Sequence, residues 1–99
     1  MATDDRPLLV FFSTEQSGPA RRMESLLAHV ARKERDRLRV TRVDVDARPD
    51  LAEKFKITDV PTLVLVKEKR AVARIEGRSS APRIERMLEP HLTTATALV

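Results

Sequence analysis

Five consecutive apolar residues, Leu8-Leu9-Val10-Phe11-Phe12, follow the polar opening MATDDRP and precede the polar stretch STEQSG. The run has no polar alternation. A strand built from it has no face to offer to water and belongs at the centre of a sheet, covered on both sides by helices. At 99 residues, 41% hydrophobic and 34% charged, the chain suits one compact domain over residues 1–99. The fold core is expected at about residues 8–92, with residues 93–99 as a frayed tail.

Beyond Gly18 the period changes. Met23, Leu26, Leu27, Val30 and Ala31 recur at helical spacing, with Arg21, Arg22, Glu24, Arg32 and Lys33 on the remaining face, which predicts an amphipathic helix ending near Asp36. From about Leu38, Val43 and Val45 alternate with Arg42, Asp44 and Asp46, the pattern of a strand with one wet face. Pro49 and Asp50 open a short helix that places Leu51 and Phe55 on one side. Thr62 to Val66 is a second buried strand, and Ala71 to Ile75 is its hairpin partner, closed by Gly77. Ser79 or Ser80 caps a last helix with Pro82 in its first turn and Ile84, Met87, Leu88 and Leu92 as its stripe. Pro90 ends or kinks it. The order β-α-β-α-β-β-α predicts an α/β fold with a four-stranded mixed sheet flanked by helices, parallel at its first crossover and antiparallel at its hairpin.

Composition removes several classes of function. There is no cysteine, hence no disulfide, no thiolate nucleophile and no thiolate metal site. His29 and His91 form no H-E-x-x-H spacing, and DVDARPD lacks the glycine and spacing of a calcium loop, so no metal or cofactor is expected. The formal charge of +4 is modest and mixed in sign, and the three aromatic residues are all Phe; nucleic acid is not the expected partner. No apolar run reaches the roughly 20 residues that span a bilayer, and the acidic N-terminus does not resemble a signal peptide. The expectation is a cytoplasmic protein with no membrane association.

The element order, SGPA at the first helix start (Ser17 to Ala20) and DVPT before the third strand (Asp59 to Thr62) resemble the thioredoxin family over about residues 8–92. In that family the helix opens with W-C-G-P-C and a cis proline faces the cysteines. The matching residues are Gln16, Ser17, Gly18, Pro19 and Ala20, with Val60, Pro61 and Thr62 opposite. Both cysteine positions are lost, at Ser17 and Ala20. The tryptophan position holds Gln16, and the family's buried acid falls on Phe11. The resemblance therefore implies the fold without its redox chemistry, and no catalytic residue is expected. A serine hydroxyl at neutral pH neither attacks a disulfide nor resolves one. Ser17 fits an N-cap and Pro19 a first-turn residue. A nucleophilic role for Ser17 would need an adjacent base, which neither histidine supplies.

The resemblance also implies a cis bond at Val60-Pro61 that turns Val60 outward, its backbone N–H and C=O available to an extended peptide. Two readings of Pro61 stay open, a groove for a partner or a turn needed only for folding. The peptide-binding surface would comprise Gln16, Ser17, Gly18, Pro19, Val60, Pro61, Thr62 and Gly77, and the partner would be a protein or peptide. One alternative is a non-redox, transferase-like domain that binds glutathione or another small thiol at the same turn. The other is an assembly subunit, monomer or weak dimer, pairing through the strand of Leu38 to Val45. Seven residues precede Leu8 in this sequence, where full-length family members carry a strand and helix, and the strand of Leu38 to Val45 is therefore expected at a free edge.

Overall fold

The computed structural model describes residues 6–14 and 18–92. Four strands, β1 (Leu8–Ser13), β2 (Arg39–Asp44), β3 (Thr62–Lys67) and β4 (Arg70–Glu76), alternate with three helices, α1 (Gly18–Lys33), α2 (Pro49–Lys54) and α3 (Ala81–Leu88). A 3-10 turn at Glu89–His91 follows α3, where Pro90 cannot supply the next helical N–H. The tail at 93–99 lies outside the described residues.

The sheet order is β2-β1-β3-β4. β1 runs parallel to β2 and antiparallel to β3, and β3 and β4 form an antiparallel hairpin. Among the described residues β2 and β4 are therefore the edges, and the five-residue apolar run is central. Its side chains alternate between two cores. Leu9 and Phe11 join Met23, Leu27 and Val30 of α1 and Ile84 and Leu88 of α3 on one face. Val10 and Phe12 join Val64, Val43, Leu51 and Phe55 on the other. Two layers of cover explain the lack of alternation: Leu9 and Phe12 are fully buried and Phe11 is 2% exposed.

The first helix stops at Lys33 rather than near Asp36. The N–H groups of Arg37 and Leu38 both donate to the Glu34 carbonyl, each at 2.8 Å, and this double bond to one acceptor turns the chain toward β2 and buries Leu38. Ser80 occupies the N-cap position of α3 with extended backbone but makes no side-chain capping bond. Ser79 Oγ is buried without a hydrogen-bond partner. On α2, Phe55 follows the last helical residue and its ring meets Phe12 at 5.6 Å between centroids. The β3–β4 register shifts between Leu65 and Val66, leaving Val72 unmatched and 38% exposed. The hairpin turn places Glu68 and Lys69 at φ 53° and 67°.

Candidate functional site

Phe12 at the end of β1 pairs with Thr62 at the start of β3, and Thr62 pairs with Glu76 at the end of β4. These three strand ends, the start of α1 and the segment before β3 therefore gather at one end of the sheet. The Val60–Pro61 bond is cis. Pro61 is buried, and its carbonyl accepts the N–H of Gly77 at 2.8 Å. Gly77 has φ +80° and open space where a Cβ would stand, so its backbone needs glycine although nothing crowds it. Thr62 is fully buried and donates its Oγ1 proton to the Asp59 carbonyl at 2.6 Å. Val60 is half-buried, and its N–H and C=O take part in no backbone hydrogen bond among the described residues.

The expected site residues thus separate into groups. Val60, Pro61, Thr62 and Gly77 are linked by the bonds above. Gly18 and Pro19 are the first residues of α1, at the same end of the sheet. Gln16 and Ser17 lie outside the described residues. The side chain of Thr62 is buried and spent on the Asp59 carbonyl, whereas Val60 is half-buried and Asp59 exposed. Asp59 was not singled out from the sequence, although an aspartate two residues before a proline is a turn signal. Neither histidine is placed at this end, since His29 stands about 16 Å along α1 from Gly18 at the helical rise, and His91 lies in the 3-10 turn.

Phe11 closes the floor behind α1. With Leu27, Ala28, Ala31 and Val40 it lines a cleft of about 220 Å³ between α1 and β2, whose rim holds Glu24 and Arg42. Arg42 sits beside Phe11 in the sheet register and its guanidinium donates to the Glu24 carboxylate. A charged pair stands at the start of α2. There Arg48 donates to Asp50 at 3.0 and 3.1 Å, and this bond holds the Asp50 carboxyl below its usual range and the Arg48 guanidinium above its own. Among the described residues no cluster of three or more His, Cys, Asp or Glu could hold a metal ion. No described helix is long and apolar enough to cross a membrane.

The family model for thioredoxin matches residues 1–90. The chain belongs to the thioredoxin family. It is 33% identical over 89 residues to a thioredoxin-like protein of Synechocystis, covering 90% of this chain and 85% of that one. It is 29% identical over 92 residues to the chloroplastic thioredoxin Y1 of Arabidopsis thaliana, covering 93% of this chain and about half, 54%, of that longer protein. The crystal structure of Deadhead, a germline-specific thioredoxin of Drosophila melanogaster, superposes with a TM-score of 0.82 at 29% identity, over 88% of this chain and 82% of that one. The chain has no cysteine, and Ser17 and Ala20 are the positions that the motif resemblance matches to the family's two thiols.

Proposed function

We propose that this protein is a redox-inactive, non-enzymatic member of the thioredoxin family that binds an extended segment of a partner protein across Val60, beside Gly18, Pro19 and Gly77. The observation that carries the reading is the state of the Val60 backbone. Its neighbours are fixed, Pro61 through Gly77 and Thr62 through Asp59, while its own N–H and C=O have no backbone partner among the described residues. Such a pair beside strand ends is what an extended peptide engages when it adds main-chain hydrogen bonds, and a fixed surround lowers the ordering cost of binding. Redox inactivity rests on chemistry. Disulfide exchange needs a thiolate to attack and a second thiol to resolve, and the chain has neither.

The test is an amide-resolved titration with extended peptides selected from a displayed random library. Shifts centred on Val60 and Gly77 support the reading. Shifts centred on β2 would replace it with edge pairing, and shifts at Val60 from glutathione at about millimolar concentration, a weak affinity of roughly 4 kcal/mol, would replace it with small-thiol binding. Turnover in an insulin-reduction assay above the rate of dithiothreitol alone would overturn the redox-inactive assignment.

A further inference from the structure

The end of the sheet opposite Val60 is strongly basic. The register sets Leu8 beside Arg39 and Val66, and Lys67 opposite Arg70, so the start of β1, the turn from α1 to β2 and the β3–β4 turn share that end. Two further bonds knit it together: Arg6 donates to the Arg35 carbonyl, and the Arg39 N–H donates to the Pro7 carbonyl at 2.9 Å. Residues 32–39 and 67–70 hold eight bases and three acids. Twelve residues thus carry a net +5 in a chain whose total is +4, and the rest of the molecule is close to neutral.

Part of this charge is already answered. Lys33 pairs with Glu85 at 3.1 Å and Arg37 with Glu34 at 2.5 Å. Arg32, Arg35, Lys67, Lys69 and Arg70 make no ion pair among the described residues, and all but half-buried Lys67 are exposed. They extend from the α1 side to the hairpin side of a four-stranded sheet, a width of roughly 14 Å at ordinary strand spacing.

The hairpin supplies an independent observation. Glu68 and Lys69 both have positive φ, the conformation that two-residue hairpin turns ordinarily give to Asn-Gly. Placing two long side chains there costs stability that Asn-Gly would not, and conformational cost held at one place points toward use of what is carried there. Here it keeps an ammonium at the tip of the hairpin, next to Arg70.

We propose that this basic end docks an acidic segment of a partner protein, with Arg32 and Arg35 on the helix side and Lys69 and Arg70 on the hairpin side meeting its carboxylates. Guanidinium forks match carboxylates with two parallel bonds. An acidic peptide fits better than a nucleic-acid backbone for two reasons. Asp36 and Glu68 interrupt the bases, and a peptide can place neutral or cationic residues opposite them, whereas a phosphate run cannot. No aromatic ring is available for base stacking, because Phe11 and Phe12 are buried and Phe55 packs in the core beneath α2. The basic end and the Val60 end lie at opposite ends of the strands, so the two surfaces can be occupied together.

The test measures anisotropy of a labelled peptide that alternates glutamate pairs with single serines, using the whole chain, its Arg32→Glu/Arg35→Glu and Lys69→Glu/Arg70→Glu variants, and Glu68→Asn/Lys69→Gly, with circular dichroism as the check of folding. The wild-type chain is expected to bind at about 50 mM salt and to lose about tenfold in affinity by about 200 mM, as screened charge pairs do. Each charge reversal should weaken binding by about tenfold or more. Glu68→Asn/Lys69→Gly should raise the melting temperature while weakening binding several-fold, a combination that a purely structural turn would not give. The proposal is overturned if the peptide does not bind at about 50 mM salt, if both reversals bind as wild type does, or if a DNA duplex of equal charge binds more tightly than the peptide at the same salt.

Discussion

Replacing Phe11 by aspartate tests the claim that a sealed apolar floor stands where a redox thioredoxin keeps an acid. Phe11 is 2% exposed and packs in the core shared by β1, α1 and α3. Truncating a buried Phe to Ala costs about 3–5 kcal/mol, and a domain of this length has a total stability of about 5–15 kcal/mol, so the cavity alone consumes a large share. A carboxylate adds the cost of a buried charge, which the site relieves only by keeping the proton or by drawing in Arg42, the base on the same face. Arg42 already serves Glu24, so the new acid must compete for it. Its folded-state pKa should therefore lie above the ordinary value of about 3.9. The folded state then holds more protons than the unfolded one above that value, and stability falls as pH rises from about 4 toward the folded pKa, by at most about 1.4 kcal/mol per pH unit. Urea unfolding of wild type, Phe11→Asn, Phe11→Asp and Phe11→Asp/Glu24→Gln at pH values of about 5 and 8 separates these contributions. Phe11→Asp should lose about 1–3 kcal/mol more than Phe11→Asn over that interval, and Glu24→Gln should recover about 1 kcal/mol by freeing Arg42. Equal stability of Phe11→Asp and Phe11→Asn at both pH values would show that position 11 reaches water and would refute the sealed floor.

Ser17→Cys with Ala20→Cys should give a protein that forms a disulfide readily but reduces insulin slowly, because no buried carboxylate is available to take the resolving thiol's proton; turnover equal to an ordinary thioredoxin would contradict this. The Asp50 carboxyl is depressed first by its hydrogen bond from Arg48, so any stability it lends is present at neutral pH and is lost as pH falls through the carboxylate range. Both partners are exposed, and Arg48→Gln should raise the Asp50 pKa in an NMR titration while leaving neutral-pH stability essentially unchanged. Ile84→Ala, at a fully buried position, should cost about 2–5 kcal/mol in denaturant unfolding. Val72→Ala, at an exposed one, should change stability by less than about 0.5 kcal/mol.

Much of the fold was legible because burial writes itself into period. The unbroken run at Leu8 to Phe12 implied two covering layers, and the structure divides those side chains between two cores. The spacing of Leu51 and Phe55 was enough to seat α2 against the second core. The end of α1 was less legible, since the two N–H groups that share the Glu34 carbonyl are backbone, and no side chain announces them. The cap of α3 shows a similar limit. Two adjacent serines satisfy the pattern equally, yet neither makes the capping bond. At the candidate site, Gly77 and Pro61 could be named from their residue types. The buried side chain of Thr62 could not, because its orientation depends on strand register. The basic end is not legible as a surface for the same reason: residues 32–39 and 67–70 are far apart in sequence, and the antiparallel return of β3 brings them to one end.

The central position of β1 also bears on how the chain is made. Leu8 to Phe12 leave the ribosome before either strand that flanks them in the sheet. Their parallel neighbour β2 begins only at Arg39, and their antiparallel neighbour β3 is complete only at Lys67. Throughout that interval of synthesis five apolar residues wait without either flanking strand. Such an unpaired, β-prone segment is where a nascent chain associates with others of its kind. The acids and the arginine just upstream in MATDDRP flank it as charged gatekeepers would. The yield of folded protein therefore depends on charges beside the run as well as on the contacts its side chains make in the finished sheet.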